Sequence, residues 1–160
     1  MKQSLPITVV GLMMFATVAS AQPARFDSNT PCSVTLSEKG SYGNRLLSVF
    51  GLWSDGTVVF RPGGPGFITS DGSLGMKFGW TRGVAGPLKI TGHRLDGDAP
   101  PLRASIPSGY GDVGFQATAL IFPTPGCWRV NAQIGDFADS TLTFVTKVVK
   151  IGDGPAWRRD

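Results

Sequence analysis

Alternation of apolar and polar side chains defines the clearest predicted element, a strand over residues 73–80. The side chains that face one way are large and apolar: Leu74, Met76, Phe78 and Trp80. The positions between them hold small or charged residues: Ser73, Gly75, Lys77 and Gly79. A period of two with this contrast is typical of a half-buried strand in an antiparallel sheet.

Similar short apolar segments predict further strands. They lie at residues 33–36, 46–52, 57–61, 87–95, 102–106, 115–122, 127–134 and 140–151. In the strand at 127–134, the alternation turns Trp128 inward and Arg129 outward. In the strand at 115–122, it assigns Phe115 and Gln116 to opposite faces.

Glycine and proline separate these segments. Asp55-Gly56 lies between two apolar runs and predicts a hairpin that joins the strands at 46–52 and 57–61. The run RPGGPG at 61–66 cannot occupy a central strand and therefore predicts a loop.

The last predicted strand changes phase. Leu142 and Phe144 share one parity, whereas Val145, Val149 and Ile151 share the other. A β-bulge near Thr146 would place both sets in one core. The alternative is a strand that is buried on both faces.

No segment after residue 21 shows a helical period, so the predicted class is all-β. About eight or nine short strands in one domain suggest an immunoglobulin-like antiparallel β-sandwich or a small barrel. The sandwich is favoured because the strands are many, short and separated by turns, with no internal repeat.

The first residues predict a secretory signal peptide. One early cation, Lys2, precedes an uncharged, largely apolar run that ends in Ala19-Ser20-Ala21, a pattern that signal peptidase accepts. The apolar run is shorter than the roughly 20 residues that a membrane anchor needs. We therefore expect a secreted or periplasmic protein without a membrane span after cleavage. The expected division is a signal peptide at 1–21, a linker at 22–31, a sandwich domain at 32–151 and an exposed tail at 152–160.

Two cysteines, Cys32 and Cys127, are present. A pair of cysteines in an oxidising compartment predicts a disulfide bond. The alternative is a free thiol at Cys127, with Cys32 in a loose N-terminal segment.

Two stretches resemble known proteins. The run PTPGCWRVNAQIGD followed by STLTFVTKVV resembles the closing hairpin of secreted bacterial immunoglobulin-like domains. The segment DGTVVFRPGGPGF followed by DGSLGMKFGW is similar to the central part of a group of uncharacterised secreted bacterial proteins. The resemblance supports fold and compartment, and it implies no catalytic residues. Unlike the bridged cysteines of antibody domains, Cys127 has the parity of the polar face, so the bridge is expected to pin the N-terminal segment over an outer face or a strand end.

Charge and motifs do not indicate catalysis. The net charge is +4, but the cations are scattered, which argues against nucleic acid as a partner. The chain has one histidine, His93, and one glutamate, Glu38, and it lacks a nucleophile elbow and metal-binding motifs. Several aspartates precede glycine and are explained by turns. We therefore expect that the protein is not an enzyme and that it binds no metal and no cofactor. An extracellular hydrolase with His93 as its base is the weaker alternative.

Aromatic residues near glycine-rich turns are the remaining candidates for binding. Five residues are predicted to bind a ligand: Trp53, Phe67, Trp80, Arg82 and Tyr110. The competing interpretation places Trp80 in the core and Trp53 as a cap on a sheet end. The predicted function is an interaction or structural module that binds a protein or the cell-envelope surface through the loops at 61–72 and 79–86. The alternative is a carbohydrate-binding module that uses Trp53, Trp80 or Tyr110. Nothing in the sequence indicates the ligand or the oligomeric state.

Overall fold

A computed structural model describes residues 32–159, so the predicted signal peptide and linker lie outside the described residues. Its strands form two packed sheets, which confirms the expected all-β sandwich. They are β1 (Ser41–Gly43), β2 (Leu47–Phe50), β3 (Thr57–Phe60), β4 (Phe67–Thr69), β5 (Leu74–Arg82), β6 (Leu88–Arg94), β7 (Arg103–Ser105), β8 (Gly114–Phe122), β9 (Gly126–Ile134), β10 (Thr141–Lys150) and β11 (Arg158–Arg159). One 3₁₀ turn, Ala138–Ser140, precedes β10. No described helix is long and apolar enough to cross a bilayer.

The larger sheet is built around β5. Strand β8 pairs along one edge of β5, from Leu74 opposite Phe122 to Arg82 opposite Gly114. The other edge is shared by β2 and β4, with β1 beyond β2 and β11 beyond β4, and β7 lies beyond β8. The smaller sheet has the order β3-β10-β9-β6. Two pairs, β3 with β10 and β4 with β11, are parallel, so the sandwich is not purely antiparallel.

The core lies between the two sheets. It contains the side chains that the alternation turned inward on β5 and β9: Leu74, Met76, Phe78, Trp80, Trp128, Val130, Ala132 and Ile134. On β8, the face that carries Gln116 and Thr118 is the buried one. The Trp80 indole N–H donates a 2.9 Å hydrogen bond to the Thr118 hydroxyl. A satisfied hydrogen bond lowers the cost of burying this polar pair.

The prediction of a hairpin at Asp55-Gly56 is wrong. A turn is present there, with the Gly56 N–H donating to the Trp53 carbonyl at 2.9 Å. However, β2 pairs with β5 in the larger sheet, whereas β3 pairs with β10 in the smaller one. A turn motif reverses the chain locally, but it does not determine which strand the second segment joins.

Both expectations for the last strand are wrong. Strand β10 pairs with β9 without interruption from Thr141 to Val148, so it contains no bulge there. Thr146 faces the core and is completely buried, and the half-buried Val145 and Val149 face outward. The apolar–polar alternation of the sequence changes phase in this strand because a threonine, Thr146, occupies a core position.

The disulfide bond is confirmed. The Cα atoms of Cys32 and Cys127 lie 5.6 Å apart, and both cysteines are bonded. Cys127 is buried but shares the outward face of Arg129 on β9. Beyond the bridge, Thr35 exchanges two hydrogen bonds with Val145: its N–H donates at 2.8 Å, and its hydroxyl accepts from the Val145 N–H at 3.0 Å. The N-terminal segment is thus held against β10, although residues 33–36 do not form a regular strand.

The segment expected to be an exposed tail is attached to the larger sheet. Most of its described side chains are exposed, but Gly154 and Pro155 are buried. The Ile68 N–H donates to the Trp157 carbonyl at 2.8 Å, and Arg158–Arg159 pair in parallel with Ile68 and Thr69. This pairing places the last described residues beside β4.

Candidate functional site

Two aromatic rings lie on the outer face of β5, each over a glycine. A Cβ atom at Gly75 would lie 2.2 Å from the ring of Phe67. A Cβ atom at Gly79 would lie 2.6 Å from the ring of Phe115. Because real Cβ atoms do not approach so closely, glycine at both positions lets the rings contact the strand backbone. Exposed Lys77 lies between the two glycines on the same face.

The ring over Gly79 belongs to an exposed cluster that we call the aromatic patch: Phe50, Tyr110 and Phe115. Phe50 is paired with Gly79 in the register of β2 and β5. The rings of Tyr110 and Phe115 are 6.3 Å apart and meet edge to face. All three side chains are exposed, Phe115 by 58%. Contiguous exposed apolar groups on a soluble domain mark interaction surfaces.

Buried polar side chains hold the loop that carries Tyr110, residues 106–113. The Arg82 guanidinium donates to the Gly86 carbonyl at 3.2 Å and to the Gly111 carbonyl. The Gln116 amide donates to the Pro107 carbonyl at 3.2 Å. Arg82 is only 5% exposed, and none of the described ion pairs includes it. A buried guanidinium bound to loop carbonyls fixes the backbone beside the aromatic patch.

A groove runs over β4 between β5 and β11 on the same outer face. Its volume is about 470 Å³, and its lining includes Pro65, Phe67, Lys77, Trp157 and Arg159. The Arg159 guanidinium carbon lies 5.4 Å from the centroid of the Phe67 ring, a cation–π distance. Trp157 is 69% exposed. The groove therefore combines apolar side chains with two cations.

A second hollow continues this groove and ends at an ion pair. The carboxylate of Asp71 lies 2.7 Å from the guanidinium of Arg103. Hydrogen bonds from the Thr69 hydroxyl and from the Ser73 N–H, together with Arg103, hold the pKa of Asp71 well below its ordinary value of 3.8. Asp71 therefore stays ionised at neutral pH and offsets the charge of Arg103.

The structure does not bring the five predicted binding residues together. Trp80 is fully buried in the core and cannot contact a ligand. Arg82 holds the 106–113 loop, and Phe67 is a largely buried residue that lines the groove. Trp53 is partly exposed in the turn after β2. Tyr110 alone belongs to the aromatic patch.

Sequence reasoning missed the residues that dominate the outer face: Phe50, Phe115, Trp157 and Arg159. The alternation of Gly75, Lys77 and Gly79 was a usable signal, since small residues on an outward face leave room for a neighbouring side chain. This pattern does not identify the aromatic residues that occupy the space, because strand pairing decides which side chains lie beside the glycines.

The residues considered for catalysis are dispersed. His93 is exposed on β6, opposite Arg129 of β9. Residues 32–159 contain no group of three or more histidine, cysteine, aspartate or glutamate side chains placed to hold a metal ion.

The sequence matches no family model and no curated protein. The resemblance to secreted bacterial immunoglobulin-like domains therefore stays an expectation from the residues quoted above, and a functional proposal depends on the geometry of the outer face.

Proposed function

We propose that this chain is a non-catalytic, immunoglobulin-like interaction module that binds a partner protein through the aromatic patch. The main support for this proposal is the exposed cluster of Phe50, Tyr110 and Phe115 on the outer face of the larger sheet. The solvent-facing side of an antiparallel sheet is usually polar. Exposed aromatic residues of this kind are enriched at protein–protein interfaces.

The proposed compartment is the periplasm or the extracellular space. It is supported by the signal-like residues 1–21 and by the bond between Cys32 and Cys127, since disulfides persist mainly in oxidising compartments.

A protein partner is favoured over a glycan by the surroundings of the patch. Glycine and alanine occupy the outward positions beside Phe50, at Gly79 and Ala117. Two of the three rings lack a polar atom, and Tyr110 meets Phe115 at 68° rather than extending a flat platform. A sugar site needs polar groups beside the ring to fix the hydroxyls of the ligand.

Site-specific photo-crosslinking tests the proposal. A benzophenone amino acid replaces Phe115 in one variant and Phe137 in a control, because the two side chains are equally exposed, at 58% and 59%. Phe137 lies between β9 and β10 of the smaller sheet and is not part of the aromatic patch. In the producing cells, we expect a discrete protein adduct from position 115 that is absent from position 137. Excess unlabelled protein should suppress it, whereas excess Phe115→Asp protein should not.

Three results would contradict the proposal: adducts of equal yield from both positions, no adduct from position 115, or an adduct only of the protein with itself. The glycan alternative has its own test. A saturable change in tryptophan fluorescence with a soluble glycan, abolished by Phe115→Ser, would replace the protein partner with a carbohydrate.

A further inference from the structure

We infer that the groove over β4 binds an acidic peptide segment that carries apolar side chains. This site is separate from the aromatic patch. Gly75 under Phe67 and Gly79 under Phe115 are four residues apart on β5, which corresponds to about 13 Å along a strand. The inference therefore does not depend on the proposed function.

The shape of the groove suits an extended chain. Its floor is the short strand β4. One wall comes from Met76 and Lys77 of β5, and the other from Trp157 and Arg159, at and just before β11 on the far side of β4. Two strand spacings separate these walls, about 9–10 Å. The adjoining hollow, of about 300 Å³, shares Phe67 and Arg159 with the groove and continues it towards Arg103.

The charges in the groove are positive. Lys77 and Arg159 line it, and no carboxylate is among its described lining residues. The ion pairs within residues 32–159 include neither of these cations. In the adjoining hollow, Asp71 is already paired with Arg103. A ligand with carboxylates complements this surface, whereas a basic ligand is repelled.

Arg159 supplies hydrogen-bond donors for a carboxylate at the groove. Its guanidinium carbon lies over the Phe67 ring, 5.4 Å from the ring centroid. A cation–π contact occupies none of the five N–H donors of a guanidinium, so these donors can form a bidentate pair with a carboxylate. Trp157 and Pro65 add apolar surface beside these donors. Carboxylates next to apolar side chains therefore match the groove better than the hydroxyls of a glycan.

The test is an NMR titration of the full chain with the blocked hexapeptide Glu-Leu-Glu-Phe-Glu-Leu. The matched probe is Lys-Leu-Lys-Phe-Lys-Leu, which has the same apolar side chains and the opposite charge. We expect saturable shifts at the Trp157 indole and at the amides around Phe67 and Lys77. The basic peptide should bind at least tenfold more weakly, and added salt should weaken the acidic one.

Matched variants connect binding to the groove. Arg159→Gln and Lys77→Gln should each weaken the acidic peptide about two- to fivefold, the range of exposed ion pairs. Lys147→Gln, at an exposed position on the smaller sheet, should change nothing. Phe115→Ser should also change nothing, which separates this inference from the proposed function. Unchanged thermal unfolding would show that the variants remain folded.

Three outcomes would overturn the inference. Equal affinity for the acidic and the basic peptide would show that charge does not determine binding. Chemical-shift changes confined to residues outside the groove would show that the peptide binds elsewhere. Tighter binding of a sulfated disaccharide than of the acidic peptide, at the same residues, would replace the peptide with an anionic glycan.

Discussion

The hydroxyl of Thr146 donates a buried 2.9 Å hydrogen bond to the carbonyl of Gly56, although the two residues are 90 positions apart. The same carbonyl accepts the Lys147 N–H at 3.1 Å. These two bonds attach the turn before β3 to β10 in the smaller sheet. They also account for a threonine at a core position of β10.

Thr146→Val should therefore lower the free energy of unfolding by about 1 kcal/mol, because one buried hydrogen bond is lost while the Gly56 carbonyl keeps its second donor. Urea unfolding measures the change. Thr143→Val, at an exposed position of the same strand, should change stability by less than about 0.5 kcal/mol. Equal effects of the two substitutions would contradict the structural role of Thr146.

The two glycines under aromatic rings should differ in their tolerance of alanine. At Gly75 the obstructing ring of Phe67 is buried, so Gly75→Ala should destabilise the fold by about 1–3 kcal/mol. At Gly79 the ring of Phe115 is exposed and can move away, so Gly79→Ala should cost less than about 1 kcal/mol. Gly111→Ala is the control, because no atom lies closer than 3.8 Å to its Cβ position. Thermal unfolding compares the three variants, and an equal loss at Gly75 and Gly79 would contradict the prediction.

The disulfide bond should stabilise the domain substantially. It links residues 95 positions apart and holds the segment that contacts Val145. The Cys32→Ala/Cys127→Ala double variant should lose about 2–5 kcal/mol of unfolding free energy. The unreduced, unfolded protein should show no free thiols on labelling, and an unchanged denaturation midpoint in the double variant would refute the stabilising role.

Arg82 should act on the aromatic patch by positioning the 106–113 loop. Arg82→Met removes the hydrogen bonds to the Gly86 and Gly111 carbonyls, so amide exchange in the loop should accelerate several-fold. Crosslinking from position 115 should fall in the same variant. Arg129→Met, at an exposed site on β9, should leave both measurements unchanged. Normal loop exchange in Arg82→Met would show that the loop is held by other contacts.

Asp71 should contribute to stability at neutral pH and lose that contribution in acid. Its folded pKa is lower than its unfolded value, because the Thr69 hydroxyl and the Ser73 N–H bind the ionised form. The contribution is therefore complete above about pH 4 and disappears as the pH falls through the lower, folded pKa. Asp71→Asn should destabilise the protein at pH 7 and lose less stability than the wild type between about pH 4 and pH 2. Urea unfolding across this range measures the difference. Parallel pH profiles of the two proteins would contradict the assignment.

Residue patterns predicted the sandwich because burial of one face is a local property of a strand. The alternation around Phe78 on β5 and around Val130 on β9 identified the buried side chains directly. The pairing of Cys32 with Cys127 followed from their number and the expected compartment. The parity of Cys127 also indicated that the N-terminal segment is pinned outside the core.

The predictions that failed concern partners distant in sequence. The Asp55-Gly56 turn was recognised, but β3 joins β10 rather than β2. The phase change in β10 was noticed, but the acceptor for Thr146 lies in another turn. No local pattern contains this information, because both outcomes depend on which strands meet.

The sequence by itself determined an all-β domain, the inward-facing residues of β5 and β9 and the disulfide, since these depend on side-chain period and composition. Only the tertiary structure placed Phe115 over Gly79, brought the Arg159 guanidinium over the Phe67 ring and buried Arg82 beneath a loop. A surface site is formed by side chains from several strands. Its composition is therefore decided by strand order and register, which arise when the two sheets assemble around one core.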